Sequence, residues 1–321
     1  MGKRMKRLLR LAGLSALTYT YVLGKQAEEK EELDQLIRKD VTVKGKRVSI
    51  EVSGEGKDIL IAFPGLSSGS VTVSYKPLMS QLAERFTIAV VEPLNYGSSD
   101  DTDESRDVDT VAEEYHEIIK QIGAKHYYLM AHSLGGIYCL KMMEKYPEEV
   151  KGYIGLDTTV PEAYEYMDEE KEGEQAGRIL SFFSRFGITR LLYKLDKERF
   201  EVFAKDYPYT EEDLEKARKV LLRRMYLNSL QKESEKTGYN LLKMRDVLIP
   251  ETIPVCNIVS KQTDEYLVSR GAREGLWIDA HRRQSANRHS VCEVLDLPHT
   301  MHITDYKKVS EVILRWMDEK R

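Results

Sequence analysis

The chain has 321 residues, of which 41% are hydrophobic, enough to bury the core of one large domain or two small ones. Its 49 basic and 53 acidic residues give a formal net charge of −4, and the basic residues form no continuous stripe. This composition excludes a disordered chain and argues against nucleic acid as a partner.

The first 25 residues differ in composition from the rest of the chain. An apolar run from Leu11 to Leu23, interrupted by Ser and Thr, follows five basic residues, which are Lys3, Arg4, Lys6, Arg7 and Arg10. This pattern is typical of a secretory signal or a short membrane anchor, and a soluble amphipathic helix is a third interpretation. We therefore expect membrane association through residues 5–24, in a membrane-anchored or secreted protein whose main domain lies outside the cytoplasm. A cytoplasmic location is less favoured.

Residues 26–40 are highly charged and predict a solvated helix or linker. From residue 41, short apolar runs alternate with longer stretches of helical period. A hairpin is predicted at Lys44-Gly45-Lys46, followed by strands at 59–63, 87–91, 127–131 and 150–156 and by helices at 75–85, 107–122 and 136–146. This alternation predicts an α/β fold with a mostly parallel sheet covered on both faces.

The alternation stops at Asp157 and resumes at Ile253. The intervening residues are rich in charge and in helical periodicity. They predict a helical cap insertion at 158–250, between a first core part at 41–157 and a second at 251–321. The second part is expected to contain strands at 254–259 and 291–297 and a last helix with the apolar stripe Val309, Val312, Ile313 and Trp316.

Ser133 stands where the strand predicted at 127–131 passes into a helix, in Ala131-His132-Ser133-Leu134-Gly135. The small residues two before and two after the serine let strand and helix approach closely, as in a nucleophile elbow. Such a turn exposes the hydroxyl at the carboxyl end of the sheet, where the backbone N–H of Leu134 can bind a developing oxyanion. A serine that merely caps the helix is the simpler alternative.

A serine nucleophile needs a histidine to take its proton and a carboxylate to orient that histidine. His299 and His302 lie in Leu297-Pro298-His299-Thr300-Met301-His302, just before the last predicted helix. With this arrangement, the sequence from residue 41 to the end resembles the α/β-hydrolase family. The resemblance implies the α/β-hydrolase fold and, from its spacing to the last helix, His299 as the catalytic base, with His302 as the alternative.

The same resemblance implies an acid that follows a strand and lies between the serine and the histidine in chain order. Asp264, after the strand predicted at 254–259, is the expected acid. Glu265 is possible because the loop is longer than usual, and Asp157 is the other alternative because some family members carry the acid after the preceding strand.

The loop Pro64-Gly65-Leu66-Ser67 resembles the family's oxyanion loop, which implies the backbone N–H of Leu66 as the second oxyanion donor beside that of Leu134. Together these residues predict a serine hydrolase that cleaves a carboxylic ester, thioester or amide of a small acyl substrate. The sequence has no metal, ATP or dinucleotide motif, so no cofactor is expected.

Two other functions stay open. One is an aminopeptidase of the proline iminopeptidase type, whose substrate ammonium could be held by the Glu residues at 162–174. The other is a membrane-tethered binding protein that keeps the fold but uses its pocket as a receptor.

Overall fold

The computed structural model describes residues 3–36, 39–67, 69–164, 184, 186–197, 202–224, 229–285 and 289–319. Among these residues, an eight-stranded sheet forms the centre of the molecule. Its strands in chain order are β1 (Lys39–Val43), β2 (Lys46–Ser53), β3 (Asp58–Phe63), β4 (Phe86–Glu92), β5 (Tyr127–His132), β6 (Val150–Leu156), β7 (Val255–Ser260) and β8 (Val291–Leu295).

The strand order across the sheet is β1-β2-β4-β3-β5-β6-β7-β8. β1 and β2 form the predicted hairpin, β2 pairs antiparallel with β4, and every later pair is parallel. The predicted fold class, a mostly parallel α/β sheet, is confirmed. Because the carboxyl ends of β3, β5, β6, β7 and β8 meet at one edge, the segments that follow these strands lie close together.

The described helices are α1 (Lys3–Leu36), α2 (Val71–Leu82), α3 (Val108–Ile122), α4 (Gly135–Lys145), α5 (Ile188–Leu195), α6 (Glu211–Arg224), α7 (Ser229–Met244), α8 (Lys261–Ser269), α9 (Leu276–Gln284), α10 (Met301–Thr304) and α11 (Tyr306–Glu319). Helices α3 and α4 cover one face of the sheet and α2 and α11 the other, each with its own apolar cluster. The apolar stripe predicted for the last helix is buried in the second cluster: Val309, Val312, Ile313 and Trp316.

Helix α1 runs without a break through residue 25, where the sequence suggested a boundary between a targeting segment and a charged segment. Its second half lies on the folded domain: Leu33 is fully buried, Asp34 forms an ion pair with Arg47, and Glu29 forms one with Arg190 of α5. In the part of the chain that the structure describes, no helix combines the length and the apolar character needed to cross a membrane.

The expected cap insertion contributes helices α5, α6 and α7 to the described residues. Helix α6 is fixed to the core by its last residue. Arg224 is fully buried, and its guanidinium donates hydrogen bonds to the carbonyl oxygens of Tyr96, Gly97 and Ser99 in the segment after β4. The last turn of α6 is therefore fixed to the segment that follows β4.

Candidate active site

Ser133 follows β5 directly, two residues before α4 begins. Its φ of 49° lies in the left-handed region, which costs a non-glycine residue about 1 to 2 kcal/mol. Three backbone hydrogen bonds hold this conformation: the Ser133 N–H donates to Leu156 (3.3 Å), and the Ser133 carbonyl accepts from Gly136 (2.9 Å) and Thr159 (2.8 Å). The serine thus stands on a strained turn that its neighbours keep in place.

Two glycines permit the close approach of the chain segments around Ser133. A Cβ on Gly135 would lie 2.3 Å from the carbonyl oxygen of Pro64, and a Cβ on Gly65 would lie 2.6 Å from Cβ of Ser133. Side chains at either position would overlap with these atoms. The loop after β3 therefore lies directly against the serine.

The backbone N–H groups of Leu66 and Leu134 have no hydrogen-bond acceptor within the described ranges of the chain. Leu134 precedes the first residue of α4, so its N–H adds to the positive end of that helix. Unpaired backbone donors beside a serine hydroxyl are the groups that bind the oxyanion of an acyl-transfer intermediate.

The carboxylate that contacts His299 is that of Asp157, at the end of β6. His299 Nδ1–H donates to Asp157 Oδ2 over 2.6 Å. Asp157 is fully buried and accepts three further hydrogen bonds, from the backbone N–H of Ser260 (2.9 Å), the hydroxyl of Thr263 (2.5 Å) and the indole N–H of Trp277 (2.8 Å). With Nδ1 as the donor, Nε2 of His299 has a lone pair that can take a proton.

Burial by itself would raise the pKa of the Asp157 carboxyl, because it removes water from the charged form. The hydrogen bond and charge of His299, followed by the hydrogen bonds of Thr263 and Trp277, outweigh burial and lower this pKa below its ordinary value. Asp157 is therefore a carboxylate at neutral pH and can stabilise a protonated His299.

Asp264 does not lie next to His299, contrary to the expectation from the sequence. Helix α8 begins immediately after β7, and Asp264 falls in its first turn, facing the start of α9. There its carboxylate accepts the backbone N–H groups of Gly275 and Trp277, both at 3.1 Å. Trp277 in turn donates its indole N–H to Asp157. Asp264 is therefore linked to Asp157, the residue that contacts His299, through Trp277.

Glu265 does not reach the site either, because it is exposed on α8 and forms an ion pair with Lys261 at 3.2 Å. Two side chains that donate hydrogen bonds to Asp157, those of Thr263 and Trp277, were not identified from the sequence. Nothing in the sequence marks them, since a Thr on a helix and a Trp in an amphipathic helix are ordinary residues.

Two more histidines lie beside His299. The ring centroid of His132 is 4.5 Å from that of His299 and 4.5 Å from that of His302. His132 Nε2–H donates to the carbonyl oxygen of His299 over 3.0 Å and so fixes the backbone of the loop that carries it. His302, the alternative base, packs against Tyr75, and its Nδ1 is buried without a hydrogen-bond partner among the described residues.

Burial and the neighbouring His299 lower the pKa of His302 to about 3, and burial together with both other histidines lowers the pKa of His132 well below its ordinary value. Both rings are therefore neutral at pH 7. His299 differs from them in that it holds a carboxylate through Nδ1 and is half-exposed. Its Nε2 and the Ser133 hydroxyl are not hydrogen-bonded here, and in ligand-free sites such contacts are often long.

A cavity of about 240 Å³ lies beside these residues, between the core and the cap. The loop after β3 contributes Ser67, α2 contributes Val73, α6 contributes Leu221, and the segment after His299 contributes Thr300 and Ile303. Ser67 and Thr300 are the chain neighbours of Leu66 and His299, so the cavity is lined by residues next to both.

Comparison with known proteins agrees with this architecture. A family profile described as the alpha/beta hydrolase fold matches residues 58–190. Together with the sheet order and the site at its carboxyl edge, this match places the chain among proteins of the α/β-hydrolase fold.

Two curated relatives match part of the chain. YbdG of Bacillus subtilis, an uncharacterised protein, is 34% identical over 125 residues, which cover 39% of this chain and 38% of that protein. A 2-(acetamidomethylene)succinate hydrolase of Mesorhizobium japonicum is 26% identical over 147 residues, which cover 46% of this chain and 52% of that protein. The chain thus spans about half the length, or less, of these relatives.

Solved structures share the fold over most of the chain. A protein described as a membrane phospholipase A has a TM-score of 0.61 and 16% identity, and the alignment covers 98% of this chain and 97% of that one. Cfl2 of Burkholderia cenocepacia has a TM-score of 0.62 and 15% identity, and covers 87% of this chain and 94% of its own.

Proposed function

We propose that this chain is a serine hydrolase that cleaves a carboxylic ester, thioester or amide through an acyl-enzyme intermediate. The observation that carries the proposal is the 2.6 Å hydrogen bond between His299 and the buried Asp157, at the sheet edge where Ser133 occupies a strained turn. A helix-capping serine would need neither the left-handed backbone nor a carboxylate-bound histidine nearby.

In this mechanism the Ser133 hydroxyl attacks the acyl carbonyl while His299 Nε2 takes its proton. Asp157 keeps the Nδ1–H oriented and stabilises the imidazolium, and the N–H groups of Leu66 and Leu134 bind the oxyanion. His299 then gives the proton to the leaving group, and the acyl group stays on Ser133. Water, deprotonated by His299, attacks this acyl-enzyme, and the acid product leaves as Ser133 recovers its proton.

One observation supports a small acyl substrate. The relative from Mesorhizobium japonicum is named a hydrolase of 2-(acetamidomethylene)succinate, which is a small molecule.

The aminopeptidase alternative receives less support. Glu162, which belongs to the acidic stretch expected to hold a substrate ammonium, forms an ion pair with Arg283. The rest of that stretch, from residue 165 to residue 174, lies outside the described residues. A binding protein would not require the hydrogen bond between His299 and Asp157.

The proposal is tested by labelling the full chain with a fluorophosphonate probe and by following turnover of p-nitrophenyl esters of increasing acyl length. We expect labelling and turnover for the wild type, and neither for Ser133→Ala or His299→Ala. Ser74→Ala, a serine on the cavity wall, is the matched control and should be labelled like the wild type. A folded wild type that is neither labelled nor active would refute the proposal and favour a binding protein.

A further inference from the structure

Helix α5 of the cap carries its apolar side chains on the outside. Its stripe of Ile188, Leu191, Leu192 and Leu195 follows the helical repeat, and these side chains are 39%, 54%, 43% and 75% exposed. On the opposite side of the helix, Tyr193 is buried and Arg190 pairs with Glu29 of α1. A helix that packs on a soluble domain normally buries its apolar stripe, whereas the stripe of α5 has no apolar partner among the residues that the structure describes.

The first half of α1 lies next to α5. The ring centroids of Tyr19 and Phe186 are 6.3 Å apart, and a Cβ on Gly187 would lie 3.4 Å from Cγ2 of Val22. Residues 19–22 of α1 therefore contact the segment in which α5 begins.

This half of α1 is also suited to an apolar medium. No charged residue occurs from Leu11 to Gly24, and Leu14, Leu17 and Tyr21 are each more than half exposed. The hydroxyls of Thr18 and Thr20 donate to carbonyl oxygens of their own helix, over 2.9 and 3.0 Å, so they need no water.

The basic residues at the start of the chain indicate which kind of apolar surface is the partner. Five of the first ten residues are basic, and the first acidic residue of the chain is Glu28. A bilayer with anionic lipids attracts such a segment, at about 1 kcal/mol for each basic residue near the surface, whereas a second copy of the chain would bring two basic segments together. The uncharged run of 14 residues is about 21 Å long as a helix, less than the roughly 30 Å of a hydrocarbon core, which suits a helix lying in the interface.

We propose that the outer stripe of α5 and the uncharged half of α1 form one lipid-docking face, which binds the surface of an anionic bilayer. This adds a cap element to the membrane contact expected from residues 5–24. Val202 and Phe203, seven and eight residues after Leu195, line the cavity. The proposal does not depend on the hydrolase activity.

The test is flotation of the full chain with vesicles of phosphatidylcholine, alone or mixed with phosphatidylglycerol. We expect the wild type to float with the anionic vesicles, and Leu192→Glu/Leu195→Glu to partition about tenfold more weakly or worse. The matched control is Tyr239→Glu/Leu242→Glu, a pair of exposed apolar residues with the same spacing on α7, which should float like the wild type. Turnover of a water-soluble ester should be unchanged in both variants, which separates loss of docking from loss of catalysis.

A second variant isolates the charge. Replacing the four basic residues before Leu8 with Gln should remove the preference for phosphatidylglycerol, and raised salt should have the same effect on the wild type. The proposal is overturned if the wild type does not float, or if the α5 variant floats as well as its control. It is also overturned if sedimentation shows a dimer that the α5 variant dissociates, because a second copy would then cover the face.

Discussion

The sharpest difference between sequence and structure concerns the acid that orients His299, and Asp157→Asn tests it. In the folded protein both oxygens of Asp157 accept two hydrogen bonds each, from Ser260 and Trp277 on Oδ1 and from Thr263 and His299 on Oδ2. An asparagine keeps one acceptor oxygen and replaces the other with an N–H₂ group. Two of the four donors therefore lose their acceptor.

The expected loss of stability is about 2 to 6 kcal/mol, from two unpaired buried donors at about 1 to 3 kcal/mol each. Activity should fall by more than this loss of stability would cause, because His299 is no longer held in the tautomer that leaves Nε2 free to take a proton. The corresponding change in serine proteases lowers kcat by about 10⁴-fold, and we expect a similar loss here.

Asp264→Asn is the matched control, since it makes the same chemical change in a carboxylate that is linked to His299 only through Trp277 and Asp157. The remaining oxygen can still accept one of the two N–H groups at the start of α9, so we expect a loss of about 1 kcal/mol in stability. Because Trp277 keeps its place in α9, kcat should fall by less than about tenfold.

The assay compares kcat for a p-nitrophenyl ester and the rate of fluorophosphonate labelling, with thermal unfolding of each variant as the control for folding. The reasoning is refuted if Asp264→Asn, still folded, loses as much kcat as Asp157→Asn. An active, folded Asp157→Asn would refute it equally.

Three further changes test the rest of the site. The pKa of His302 is lowered to about 3 in the folded protein, against an ordinary value near 6.5, so between these pH values the unfolded chain binds a proton that the folded chain does not. The free energy of unfolding should therefore fall by a few kcal/mol as the pH drops through this range. His302→Phe should make the free energy of unfolding, measured with urea, depend less on pH. Gly135→Ala places a Cβ against the Pro64 carbonyl and should cost about 1 to 3 kcal/mol, read as a lower melting temperature, together with slower labelling. His132→Ala removes the hydrogen bond to the His299 carbonyl and should lower kcat about fivefold with KM nearly unchanged, whereas unchanged kcat would assign His132 to packing.

Much of the sheet could be predicted from the sequence because each parallel strand is an apolar run bounded by Gly, Pro or Asp. The strand at 150–156 matches β6 at both ends, and the strand predicted at 291–297 ends two residues earlier, at Leu295. The helices α3 and α4 agree with the prediction to within two residues at each end. For α3 the ends are marked by local signals, the cap residues Asp107 and Gly123.

The turn at Ser133 could be predicted from the sequence, because a strand, a serine between small residues and a helix follow one another within a short stretch of chain. The segments that press against this turn, such as Pro64 opposite Gly135, come from elsewhere in the fold. The position of His299 followed from its place before the last helix.

Which carboxylate contacts His299 was decided by the tertiary structure. β6 and β7 are neighbours in the sheet, so carboxylates after either strand can lie near the histidine, and chain order admits both. Helix α8 starts at once after Ser260 and directs Asp264 toward α9, while β6 ends with Asp157 pointing to His299. Which carboxylate meets the histidine depends on the path of two chain segments 142 residues apart in sequence, and no local pattern encodes that distance.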